Sequence, residues 1–221
     1  TRSGWRRLIA IHPRSAQQNF APIGKLMTET IAKLTGPVRG GARGWVFGQP
    51  EAGELAARGY VIEEFFLEGM AQSYRPLAGT VQGEDGSWQV EPHERAPFKT
   101  RFFVVRPGDP AKFNGVVLVN WQNVTANVDL GFPQDEEIFR GYVWVGVTTQ
   151  KIGVDGRAGL TKGLTTWDAP RYGSLTHPGD AYSYDIFTQV GRSLSKDRDG
   201  GSPDPLVAYL AGSRKLSAAD V

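Results

Sequence analysis

The chain contains no cysteine, which excludes disulfides, thiolate nucleophiles and Cys-ligated metal sites. Its three histidines, His12, His93 and His177, are widely separated and do not pattern a zinc centre. No motif calls for a cofactor. No apolar run approaches the ~18 residues that cross a bilayer. The basic-then-apolar start, Trp5 to Ile11, is apolar only over residues 8–11, short of the roughly 7–15 residues of a signal-peptide core. Charge of one sign is also scarce: the net charge is +2, with no basic block and no interleaving of aromatics with Lys and Arg, so nucleic acid is not an expected partner. The Gly-rich stretch from Gly40 to Trp45 lacks the Lys-Ser/Thr of a phosphate-binding loop and reads as a tight structural turn. Gly-x-Ser-x-Gly occurs nowhere.

What is there is an ordinary globular composition, 40% hydrophobic and 22% charged, with 28 glycines and 14 prolines marking many sharp turns. Ile23, Leu26, Met27, Ile31 and Leu34 share a helical face behind Pro22, predicting an amphipathic helix closed by Gly36-Pro37. Residues 60–74 alternate as a strand. Glu63 and Glu64 there point to opposite faces, which does not suit a glycosidase pair, and both read as solvated or edge charges. A second strand runs through residues 97–105, with Phe98, Thr100, Phe102 and Val104 on one face. Val116 to Val119 then form a short β-branched run of the kind buried on both faces of a central strand. It gives way to the polar segment 120–125, where open α/β sheets place ligands. Acidic residues 135–137 open a short helix, Gly141 closes it, and residues 142–147 form the next strand. The spacing predicts a βαβ unit with parallel strands and a right-handed crossover. Tyr182, Ile186, Val190 and Leu194 predict a core-facing helix that Asp180 can cap. Residues 204–210 suggest another short helix, and a strand is expected to begin at Leu216.

Four blocks, residues 40–48, 98–125, 141–156 and 171–192, resemble the alpha/beta hydrolase domain family of serine esterases. The resemblance implies an α/β fold: a mostly parallel sheet with antiparallel early strands and flanking helices. Residues 1–36 form an N-terminal extension, and residues 37–221 the N-terminal portion of the domain. It also implies a Ser nucleophile on a strand-to-helix elbow, with the acid and the His later in the chain. That elbow is expected just beyond Val221, so the rest of the domain would follow in cis or come from a companion chain. The expected substrate is a small-molecule ester or lactone.

The resemblance places the oxyanion-hole loop at Trp121, Asn123, Val124 and Thr125, with the backbone N–H of Asn123 or Val124 as donor. Trp121 and Tyr184 are candidates for a pocket wall. His177 and Asp180 are candidates for the same pocket. A third reading makes them a site within the chain, and a second makes the whole fold a non-catalytic binding module.

Overall fold

The computed structural model describes residues 32–49, 52–132, 135–194, 203–206 and 209. The expected helix behind Pro22 lies outside them as far as residue 31, the strand expected at Leu216 lies outside them, and so do residues 207, 208 and 210 of the short helix expected over 204–210.

Five strands form a mixed sheet: β1 (Lys33–Thr35), β2 (Tyr60–Pro76), β3 (Val90–Pro107), β4 (Val117–Trp121) and β5 (Val143–Val147), in the spatial order β1-β2-β3-β5-β4. The early strands pair antiparallel, β1 with β2, β2 with β3, and β3 with β5. β4 and β5 pair parallel, Val117 opposite Val143 and Trp121 opposite Val147. The connection between them carries a single 3₁₀ turn, Glu136–Phe139, and Gly141 follows at φ 93°. The antiparallel start and the parallel pairing of β4 with β5 are as the alternation and spacing predicted, but the helix expected between them is, among the described residues, only this 3₁₀ turn.

β2 and β3 are far longer than the other strands because their alternation continues through residues 69–76 and 90–97. The hairpin arm so formed rises past the carboxyl ends of β4 and β5, since Val147 already lies opposite Phe102. Asp85-Gly86 supplies the turn region, with Gly86 at φ 74°.

The helices are short: α1 (Ala52–Ala57), α2 (Lys151–Asp155), α3 (Leu164–Trp167) and α4 (Ala169–Tyr172); a two-stranded ribbon of β6 (Gly156–Arg157) and β7 (Thr161–Lys162) lies between α2 and α3. Among the described residues only α5 (Ser183–Ser193) is a full amphipathic helix. Ile186, Val190 and Leu194 are buried against Phe65, Leu67, Phe102, Val104, Val143, Val145 and Val147, with Tyr182 packed alongside. The opposite face buries Leu55, Tyr60, Phe103 and Val105, with Trp144 and Phe139 beside them. Phe66, Val154, Leu164, Tyr172 and Leu175 form a third cluster.

Three sequence expectations are corrected. Among the described residues, β4 is not a central strand buried on both faces. It has a neighbour, β5, on one side only among the described residues, its side chains are half-buried, and Val119 is exposed. Leu34 belongs to a strand, not to the end of a helix; it is buried on β1 opposite Leu67. Glu64 is neither solvated nor at an edge: it is 1% exposed, between two guanidinium groups.

Candidate functional site

β4 and β5 end side by side, and the segments leaving them meet. Trp121, the last residue of β4, donates its indole N–H to Gln150 Oε1 at 3.1 Å. Its ring packs on Tyr184 and Phe187 of α5, each with centroids 5.5 Å away. Tyr184 is two-thirds exposed, so the two aromatics form an open wall rather than core.

The loop after β4 is closed by its own backbone. Asn123 donates its N–H to Leu130 C=O at 3.1 Å and accepts the Leu130 N–H at 2.7 Å. The Asn123 carboxamide oxygen accepts the Thr125 N–H at 2.7 Å, an Asx turn. Asn127, at φ 60°, returns its N–H to Val124 C=O at 2.8 Å. Of the two candidate donors, the N–H groups of Asn123 and Val124, that of Asn123 is therefore spent, as is the neighbouring Thr125 N–H. The Val124 N–H has no acceptor among the described residues.

The loop is tied to the sheet through Asp129, a residue the sequence reading passed over. Asp129 is fully buried, and one oxygen, Oδ2, accepts from Arg101 Nη2 at 3.2 Å and from the Thr148 hydroxyl. The other, Oδ1, has no partner among the described residues and faces Gly153, where an added Cβ would lie 2.2 Å from it. Burial pushes the Asp129 carboxyl above its ordinary pKa, and Arg101 and Thr148 only partly oppose this.

Arg101 is the hub. It stands on β3 with no exposed surface, donating Nε to Thr148 Oγ1 at 3.0 Å and Nη1 to Glu64 Oε1 at 2.9 Å. Burial by itself disfavours its charge, but Glu64, Tyr172 and Asp129 outweigh burial and hold its pKa above the ordinary arginine value. Glu64 also accepts from Arg171 Nε at 2.7 Å and from the Tyr172 hydroxyl at 3.0 Å. Burial raises the Tyr172 phenol to about 12, so it stays a donor at neutral pH. The only sequence signals for this network were the out-of-pattern charges: Arg101 inside an apolar strand, and Glu64 at a position whose strand alternation faces inward.

His177 and Asp180 both reach the segment after β5, but not each other. His177 is buried, its Nε2 2.8 Å from Thr149 C=O, and its Nδ1 accepts the Gly179 N–H at 3.2 Å. Those partners fix one neutral tautomer, with Nε2 protonated and donating. Burial lowers its pKa. Asp180 is exposed and accepts the Lys151 N–H at 2.8 Å. It makes no cap bond to α5; it opens a 3₁₀ turn, Asp180–Tyr182, that precedes the helix. The pair thus holds the 149–151 segment in place, and no His–Asp hydrogen bond forms. Ser183 is the first residue of α5, buried with its hydroxyl unpartnered, and is not on an elbow.

The Gly-rich turn is structural in its contacts. Asp168 Oδ1 and Oδ2 accept the Ala42 and Arg43 N–H groups at 2.9 and 3.0 Å. Burial works against the Asp168 charge, but these donors and the Arg171 N–H together hold its pKa below the usual carboxylate value.

Among the described residues, no helix is long and apolar enough to cross a membrane, and no group of three or more His, Cys, Asp or Glu side chains could hold a metal ion.

Comparison with curated proteins and with solved structures returns no match for this chain. Comparison with family models returns one over residues 34–215, described as the alpha/beta hydrolase domain. That stretch contains the mixed sheet, the parallel pair and the clamped loop at its carboxyl end, and the chain belongs to the alpha/beta hydrolase domain family.

Proposed function

We propose that the chain supplies the oxyanion-hole half of a serine carboxylic-ester hydrolase acting on small esters or lactones. A Ser hydroxyl attacks the carbonyl, the acyl C–O bond breaks and the alcohol leaves, and water then hydrolyses the acyl-enzyme to the carboxylic acid and the free Ser. The negative charge that develops on the carbonyl oxygen needs a donor already aimed at it. The observation that carries this reading is the uncommitted N–H of Val124, in a loop held by Asp129 and Arg101 at the carboxyl end of a parallel strand pair. Asn123 shapes the turn through its carboxamide instead of donating its own N–H. Trp121 and Tyr184 form the apolar wall against which an acyl or alcohol group packs.

The test is labelling with a serine-reactive fluorophosphonate, read by mass spectrometry, on the 221-residue chain and on a version extended past Val221. Label on the extension alone is the expected result. Stoichiometric label on a serine within residues 1–221 would place the nucleophile inside the chain. No label on either folded protein would favour a binding module that keeps the fold without the chemistry.

A further inference from the structure

Asp129 is not the only tie on the loop that carries the Val124 N–H. Thr161, on β7, donates its hydroxyl to Asn127 C=O at 3.0 Å. The same oxygen accepts the Arg157 N–H from β6 at 3.0 Å. A threonine hydroxyl has one proton to give. With Arg157 on its lone pair, that proton is left for Asn127, so the ribbon sets the direction of the bond to the loop.

Asn127 is where the loop needs holding. Among the described residues it is the single non-glycine residue at positive φ, 60°. Asn tolerates that region better than most side chains, but the conformation still costs energy and persists where neighbours hold it. Its N–H returns to Val124 C=O at 2.8 Å, and its C=O goes to Thr161. Among the described residues no other hydrogen bond reaches residues 125–128 from outside the loop, and Thr125 and Ala126 at its tip are exposed.

The ribbon can serve as an anchor because its two ends meet backbone to backbone. An added Cβ at Gly156 would lie 2.1 Å from Gly163 N, and one at Gly163 would lie 2.1 Å from Gly156 N, a closeness that only glycine permits. The ribbon also follows directly from α2, which carries Gly153, the seat of Asp129. The tie at the foot of the loop and the tie at its tip thus share one support.

Val124 stands between two peptide planes. The first contains its N–H and the Asn123 C=O, and the Leu130 N–H holds that carbonyl at 2.7 Å. The second contains the Val124 C=O, held by Asn127, which Thr161 holds in turn. We propose that Thr161 is a positioning residue for the Val124 N–H: it fixes the second plane and so keeps Val124 from twisting out of line. The consequence for catalysis rests on the hydrolase reading, whereas the hold on Val124 does not.

Two variants test it. Thr161→Val keeps the shape of the side chain and removes the hydroxyl, and Thr161→Ser keeps the hydroxyl. In the ¹⁵N-labelled 221-residue chain, Thr161→Val should speed amide hydrogen exchange at Asn127 about tenfold, the loss of one ordinary hydrogen bond. It should also shift the Val124 amide signal, with exchange at Asn123 and Leu130 unchanged. In the chain extended past Val221, hydrolysis of p-nitrophenyl acetate should lose about tenfold in kcat with KM unchanged, the pattern of a contact made in the transition state. Thr161→Ser should restore both. Unchanged exchange at Asn127 with an unmoved Val124 signal would overturn the proposal. So would exchange that quickens evenly through the domain with a lower urea midpoint, the mark of a merely structural side chain, or local loosening that leaves kcat as it was. An extended chain that takes no fluorophosphonate label and hydrolyses no ester would sink the hydrolase reading instead, and exchange at Asn127 then decides alone whether Thr161 holds Val124.

Discussion

At the scale of single residues, His177 shows how burial sets chemistry. Its ring is held neutral by one acceptor, Thr149 C=O, and one donor, Gly179 N–H, and burial lowers its pKa. Asp180 and Asp155 oppose that shift and Lys151 adds to it, without reversing it. The sign follows from linkage. With the folded-state pKa below the ordinary 6.5, the unfolded chain binds the proton more readily, so stability falls as pH drops from 6.5 toward the folded-state value. His177→Gln keeps a donor for Thr149 and removes the titration. Urea unfolding at pH 7.5 and pH 5.5 should show a smaller loss of stability on acidification in His177→Gln than in the unchanged protein. Equal losses would show that His177 does not carry the effect.

At the scale of elements, the question is how the loop after β4 keeps one N–H in place. The Asn123–Leu130 bridge closes the loop on itself, and Asp129 pins it to β3 and to Thr148 after β5. α2 completes the seat, because Gly153 lets Asp129 come closer than any side chain would permit. Gly153→Ala would place its Cβ 2.2 Å from Asp129 Oδ1 and 3.0 Å from Cγ. Asp129 is held by two donors and cannot move aside freely, so the substitution should cost about 1–3 kcal/mol, as overpacking does. Chemical denaturation measures that cost, and amide exchange at Asn123 and Leu130 should quicken in the same variant. Normal stability with unchanged exchange would show that α2 does not hold the loop.

For the whole molecule, the ion network is the common attachment of distant parts. Glu64 from β2, Arg101 from β3, Asp129 from the loop, Thr148 after β5 and Arg171 and Tyr172 from α4 meet with almost no access to solvent. Replacing such a network by apolar groups can be neutral, but removing one member strands the rest. Arg101→Met leaves Asp129 with Thr148 as its only partner and takes one cation from Glu64. It should destabilise the protein by about 3–5 kcal/mol, seen as a lower urea midpoint with an unchanged slope. A loss below about 1 kcal/mol would mean that the network contributes no more than a surface pair. The Tyr60 hydroxyl is a second long-range tie: it donates to Ile138 C=O at 2.9 Å and accepts the Gly141 N–H at 2.8 Å, joining the start of β2 to the connection between β4 and β5.

The amino-acid sequence by itself determined what depends on near neighbours. The alternation of Phe98, Phe102 and Val104, the stripe of Ile186, Val190 and Leu194, and the spacing of the β4 and β5 runs follow from strand and helix periods, and all reappear in the structure. The four blocks that resemble the family lie mostly in those elements or in the turns between them. Tertiary structure alone decided which partner each polar group takes. Glu64 looked like a surface charge because nothing within a few residues of it could neutralise it; Arg101 and Arg171 arrive from 37 and 107 residues away. The run at residues 116–119 has the composition of a central strand, but neighbours in the sheet, not composition, decide burial, and β4 has one on a single side among the described residues. Asn123 has the right place in the chain for an oxyanion donor, yet the Leu130 carbonyl takes its N–H and leaves that of Val124. A hydrogen bond can be made only once, and only the fold brings the competitor within reach.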